Sequence, residues 1–136
     1  MVVVVGYVAS PEGDAALDHA IAEAKASSQM LVVVNASPSD PRTDRRYLHG
    51  NDVIPLKDTL VISGVEHEVV QPARGRSAAD EIVGAATERG ARLVVVGLRR
   101  RSRVGKLLLG STSQQVLLDA PCDVLAVKSG QRTRRA

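Results

Sequence analysis

The stretch RLVVVGLRRRSRVGKLLLGS, Arg92 to Ser111, decides how the rest of this chain is read. Its opening, RLVVVGL at 92–98, is apolar at consecutive positions rather than alternate ones. A strand wetted on one face alternates, so an unbroken run of β-branched residues indicates a strand covered on both faces, as in a parallel sheet. A basic run from Arg99 to Lys106 follows, then Gly110-Ser111. Ser111 and Gln114 have the Ser-x-x-Gln spacing of a capping box ahead of Val116, Leu117 and Ala120, and Pro121 ends that helix. The local order is therefore buried strand, glycine-framed loop, helix.

Working outward, strand-length apolar runs recur at 2–8 (VVVVGYV), 31–36 (LVVVNA) and 123–128 (DVLAVK). The run VEHEVV at 65–70 alternates instead, which marks an edge strand with one wetter face. Ser10-Pro11 opens a helix carrying Leu17, Ala20, Ile21 and Ala24 at helical spacing. Ser77 opens another, with Ile82, Val83 and Ala86 on one face and Gly90 as its stop. Residues 37–64 begin as a Pro-, Asp- and Arg-rich loop and end in a short helix near Val53 to Ile62. Strands alternating with helices predict right-handed crossovers and an α/β fold, a three-layer sandwich with a five-stranded, mainly parallel, doubly wound sheet. The domain is expected over 1–129, with a basic disordered tail at 130–136.

Composition narrows the function. The 136 residues suffice for one domain, and with two Tyr, no Phe and no Trp the core must be aliphatic. That scarcity weighs against modules that stack single-stranded nucleic acid on aromatic platforms, and a net charge of +3 is modest. Nucleic acid is not an expected partner. Cys122, the single cysteine, precludes an internal disulfide and favours a reducing compartment; it is expected to serve as a small buried hydrophobe. MVVVVGYVA is too short to span a bilayer and lacks preceding basic residues, so a cytoplasmic protein with no membrane partner is expected. His19, His49 and His67 show no metal-ligand spacing. Neither a nucleophile elbow nor a Cys-His pairing is present, so no catalytic residue and no enzyme are expected.

In a doubly wound sheet the ligand sits beyond the carboxyl ends of the strands, where neighbouring crossovers leave on opposite faces. The loops after the first, second and fourth strands, at 6–10, 35–40 and 97–110, converge there. The start of the Ser111 helix offers free N–H groups to an anion. A P-loop is excluded, because its spacing requires Gly at Arg100 and Ser or Thr at Leu107. The dinucleotide fingerprint fails after the first strand, where VGYVASPEG lacks the glycine spacing.

The order of elements, with Gly97, Gly110, Ser111 and the closing PCDVLAVK, resembles the universal stress protein family over residues 2–128. The resemblance implies a Gly-x2-Gly-x9-Gly-Ser/Thr motif for the phosphates and ribose of ATP, with Mg as accompanying ion. Gly97 and Gly110-Ser111 match it, with Thr112 next in line, while Arg100 stands at the second glycine. It also implies an Asp after the first strand, where this chain has Val8, and backbone contacts around Asn35 and Ala36. A homodimer through Asp123 to Lys128 is implied too. Two readings follow: a stress-linked regulatory domain with a weak adenine-nucleotide site, or a homodimeric interaction module of the same fold without nucleotide. The arginine run from Arg99 to Arg103 serves as a solvated loop, an anion site or a partner patch.

Overall fold

The computed structural model describes residues 1–36, 48–72, 76–100 and 107–129, with Arg99, Arg100, Leu107 and Leu108 described in backbone only. In chain order these form β1 (Val2–Gly6), α1 (Pro11–Ser27), β2 (Met30–Val34), a 3-10 turn (Gly50–Asp52), α2 (Val53–Ser63), β3 (His67–Val70), α3 (Ala78–Arg89), β4 (Ala91–Arg100), β5 (Leu107–Leu108), α4 (Ser111–Asp119) and β6 (Asp123–Lys128). The expected tail at 130–136 and the first part of the expected loop, 37–47, lie outside the described residues.

Five strands form a parallel sheet in the order β3-β2-β1-β4-β6. The alternating strand β3 is indeed at one edge. The two-residue β5 folds back antiparallel on the end of β4, pairing Arg99 with Leu108 and Arg100 with Leu107. The strand run expected at 92–98 extends in the structure to Arg100, so β4 takes in the first residues of the loop expected at 97–110.

The consecutive valines of the strands serve two cores at once, because side chains alternate across a sheet. Val3 and Val5 pack on one face against Ala16, Leu17 and Ala20 of α1 and Leu56 and Leu60 of α2. Val4, Val94 and Val96 pack on the other against Ala79, Ile82 and Ala86 of α3 and Val116 of α4. The crossovers leaving β1 and β2 therefore cover one face, and those leaving β3 and β4 cover the other. The switch between the two directions falls between β1 and β4, which pair directly.

Helix ends follow the sequence signals. Ser10 caps α1, its Oγ accepting from Gly13 N–H at 3.0 Å, with Pro11 in the first turn. Ser77 Oγ caps α3 through Asp80 N–H at 3.1 Å, and Gly90 ends α3 with φ +64°, a left-handed geometry that favours glycine.

Among the described residues one polar side chain is fully buried. Asn35 donates from Nδ2 to Tyr7 O at 2.9 Å, and its Oδ1 accepts from Leu48 N–H and from Gln71 Nε2, each at 2.9 Å. One amide thus ties together the ends of β1, β2 and β3.

Candidate functional site

A cleft of about 180 Å3 opens at the carboxyl end of the sheet, over the β1–β4 switch point. Its floor is Gly6, Tyr7, Val34, Val96 and Gly97 from the strand ends, and Val8 and Ala36 extend it. First turns of helices wall it: Glu12 and Gly13 from α1, Ala78 and Ile82 from α3, and Gly110 to Ser113 around the start of α4. Doubly wound topology brings helix N-termini to this end, because each helix follows the carboxyl end of a strand.

Of the residues expected at a site, Val8, Ala36, Gly97, Gly110, Ser111 and Thr112 all line this one cleft. Arg100 is placed by its backbone, in the short antiparallel ladder with Leu107 beyond the cleft floor. Regular strand backbone has no need of the left-handed conformation that favours glycine, so arginine is conformationally ordinary there. Asn35 does not line the cleft, since its amide is turned into the structural node.

The two matched glycines have different physical reasons. A Cβ at Gly97 would lie 2.5 Å from the carbonyl oxygen of Glu12 and 2.8 Å from its carbonyl carbon. The first turn of α1 packs directly on β4 there, so glycine is required by the fold itself. At Gly110, φ is −65° and ψ 163°, extended backbone open to any residue, and none of the described residues lies within 4 Å of where a Cβ would stand. No packing among the described residues demands a glycine at 110.

Ser111 does not cap its helix, contrary to the capping-box expectation. Gly110 occupies the N-cap and makes no side-chain cap bond, and Ser111 is the first helical residue. The helix ladder begins with Gln114 N–H to Gly110 O at 2.9 Å, leaving the N–H groups of Ser111, Thr112 and Ser113 ahead of it. The α1 and α3 N-termini satisfy one such donor with their own serines; α4 turns uncapped N–H groups and the positive end of its dipole toward the cleft. Ser113 Oγ donates to Gly97 O at 3.1 Å and so ties α4 to β4.

Glu12, Gly13 and Ser113 are cleft residues that the sequence reading missed. For Glu12 a signal existed, as the first turn after the first strand must lie at the ligand edge of such a sheet. Gly13 is recognisable only in three dimensions, since a Cβ there would collide with the Val8 carbonyl. Beside the cleft, Tyr7 Oη donates to Asp14 Oδ1 at 2.9 Å, and burial first, then this carboxylate, push the phenol well above its ordinary range. Cys122 is partly buried, and burial, followed by Asp123, raises its thiol pKa. It packs against the α3–α4 core but is only partly covered, short of the buried position expected.

No group of His, Cys, Asp and Glu suited to hold a metal occurs among the described residues. Among the same residues no helix is long and apolar enough to cross a membrane.

Fold and cleft together define a doubly wound α/β protein with its ligand edge at the β1–β4 switch. The sequence model of the universal stress protein family matches residues 1–128. A universal stress protein of Mycolicibacterium smegmatis is 44% identical over 126 residues, covering 93% of this chain and 96% of that one. The universal stress protein structure from Archaeoglobus fulgidus is 32% identical with a TM-score of 0.72, covering 94% of this chain and 98% of that one. A further structure of the protein from Archaeoglobus fulgidus, in complex with dAMP, is 29% identical with a TM-score of 0.65 and the same coverage. The chain belongs to the universal stress protein family.

Proposed function

We propose that the cleft binds an adenine nucleotide, with phosphate on the N-terminus of α4 and the nucleoside against Val8, Val34 and Ala36, and that the protein works as a nucleotide-responsive regulator rather than an enzyme. The observation that carries this reading is Gly110: an uncapped helix N-terminus opens on the cleft through a residue whose missing side chain leaves space that none of the described residues fills. That combination favours close approach of an anion to backbone N–H groups. The relative from Archaeoglobus fulgidus in complex with dAMP supports the ligand class. ATP is the family-derived expectation, and Mg accompanies it as the counterion of its phosphates.

Val8 places a methyl-bearing side chain where the resemblance implies a carboxylate. The missing acceptor costs on the order of 1.5–3 kcal/mol of binding, so affinity is weak, in the range where millimolar nucleotide is needed. The test is nucleotide detected by mass spectrometry after denaturing the purified protein, together with thermal stabilisation by millimolar AMP or ATP with Mg. No nucleotide and no shift overturn the reading. Gain of binding only in Val8→Asp with Arg100→Gly indicates a site lost in this chain.

The second reading, a homodimeric interaction module, is favoured by β6. Its outer edge is unpaired among the described residues, and its sequence DVLAVK carries Asp123 and Lys128 at opposite ends, both exposed. Antiparallel pairing with a second copy about a two-fold axis sets each Asp123 against a Lys128 of the other copy. Leu117 and Leu118 of the adjoining α4 are 51% and 72% exposed, apolar surface of the kind an interface covers.

A further inference from the structure

The described residues leave the outer face of α2 uncovered. Leu56 and Leu60 of this helix are buried in the core that it shares with α1. On its other side Ile54, Val61 and Ile62 are 50%, 68% and 85% exposed, and Pro55 beside them is exposed as well. At about 3.6 residues per turn, Ile54, Pro55, Asp58, Val61 and Ile62 fall within about 120° of the helix circumference, opposite Leu56 and Leu60. A helix that is apolar all round is ordinarily covered all round, and α2 is covered on one side only.

The pattern on that face points to its partner. It is symmetric about Asp58: Ile54 and Ile62 each stand four residues away from it, and Pro55 and Val61 three. A second α2 laid antiparallel, with a two-fold axis at Asp58, therefore sets Ile54 against Ile62 of the other copy and Pro55 against Val61. The charged residues of α2 are Lys57 and Asp58, one of each sign. The helix thus has no net charge to draw it to an anionic lipid surface or a nucleic acid, and none to repel its own kind. We propose that α2 is a self-association surface whose partner is α2 of a second copy of this chain. The apolar pairs hold the contact. The two Asp58 carboxylates meet at the axis with Lys57 of both copies beside them, and exposed charges of this kind contribute little either way. One helix face on each side is smaller than a standard interface of about 1,600 Å2, so the pairing is weak and is populated at high protein concentration. Because α2 joins β2 to β3 while β6 lies at the opposite edge of the sheet, this contact is separate from any pairing through β6.

The two-fold axis makes the test specific. In a full chain carrying Cys122→Ser, Asp58→Cys is oxidised with diamide and compared with Asp18→Cys, at an exposed position of α1. Helices packed about 8–10 Å apart bring facing Cα atoms on the axis within the roughly 7 Å that a disulfide spans. Asp58→Cys should therefore form covalent dimers at least about tenfold faster than Asp18→Cys, through the higher effective concentration of the paired thiols. Adding Ile62→Glu should bring the Asp58→Cys rate down to that of Asp18→Cys. In the otherwise native chain Ile62→Glu should also raise the dissociation constant of this association step by about tenfold or more in sedimentation equilibrium, because it sets a carboxylate against Ile54 of the other copy. The urea midpoint of Ile62→Glu should stay near wild type, since Ile62 is 85% exposed. Equal oxidation rates for the two cysteines, or self-association that Ile62→Glu leaves unchanged, overturn the proposal. Pairing through β6 alone gives equal rates as well, because it holds the two α2 helices toward opposite ends of the joined sheet.

Discussion

Replacing each matched glycine of the cleft with alanine separates what the fold needs from what a ligand needs. In Gly97→Ala the new methyl meets backbone at 2.5 Å and 2.8 Å, so no side-chain rotation relieves it. Restoring an ordinary contact of 3.4 Å requires the first turn of α1 to move by almost 1 Å, against a core in which Ala16 and Ala20 are fully buried. Overpacking of this kind costs about 1–3 kcal/mol. In Gly110→Ala the methyl enters open space at an ordinary φ. Alanine is a poorer N-cap than glycine by a fraction of a kcal/mol, and the gain from a less flexible unfolded chain, about 0.4–1 kcal/mol, offsets it. Urea unfolding should therefore place Gly97→Ala roughly 1–3 kcal/mol below wild type and Gly110→Ala within about 0.5 kcal/mol. Calorimetry with AMP should show Gly110→Ala losing about tenfold or more in affinity, since its methyl stands between the ligand and the backbone N–H groups. A Gly97→Ala protein as stable as wild type, or a Gly110→Ala protein that is clearly destabilised yet binds normally, refutes the division of roles.

Asn35→Ala strands Leu48 N–H, the Gln71 amide and Tyr7 C=O of their shared partner, and is expected to cost about 2–4 kcal/mol, read as a lower midpoint in urea. Tyr7 has a folded pKa raised above its ordinary 10.0, so it contributes stability that is present below pH 10 and lost as pH climbs beyond it. Stability measured from neutral pH to about pH 11 should fall less steeply in Tyr7→Phe than in wild type. For the dimer, Lys128→Glu sets like charges opposite one another and should raise the dissociation constant by about fivefold or more in sedimentation experiments. Exchange of the two residues, Asp123→Lys with Lys128→Asp, should restore it.

Much of the fold was legible because its signals are local. Unbroken valine runs indicate strands buried on both faces, the alternation of VEHEVV put β3 at an edge, and Ser10, Ser77 and Gly90 marked helix ends that the structure confirms. The capping box at Ser111 is not realised, because the helix begins one residue earlier: Gly110 is the cap and its carbonyl accepts from Gln114 N–H, which sets Ser111 in the first turn. The extent of β4 was not legible either, since nothing in LRRR announces that two residues will return from Leu107 to pair with it.

By itself, then, the sequence determined the class of sheet, the order of its elements and the end at which a ligand sits, since side-chain periodicity and chain handedness suffice for these. Only the tertiary structure decided why each glycine is a glycine. Gly97 yields to the backbone of α1, eighty-five positions earlier in the chain, whereas Gly110 yields to nothing among the described residues. It also brought Glu12 to the cleft wall and Asn35 into a buried node, because contacts between distant segments exist only once the helices have docked on the sheet.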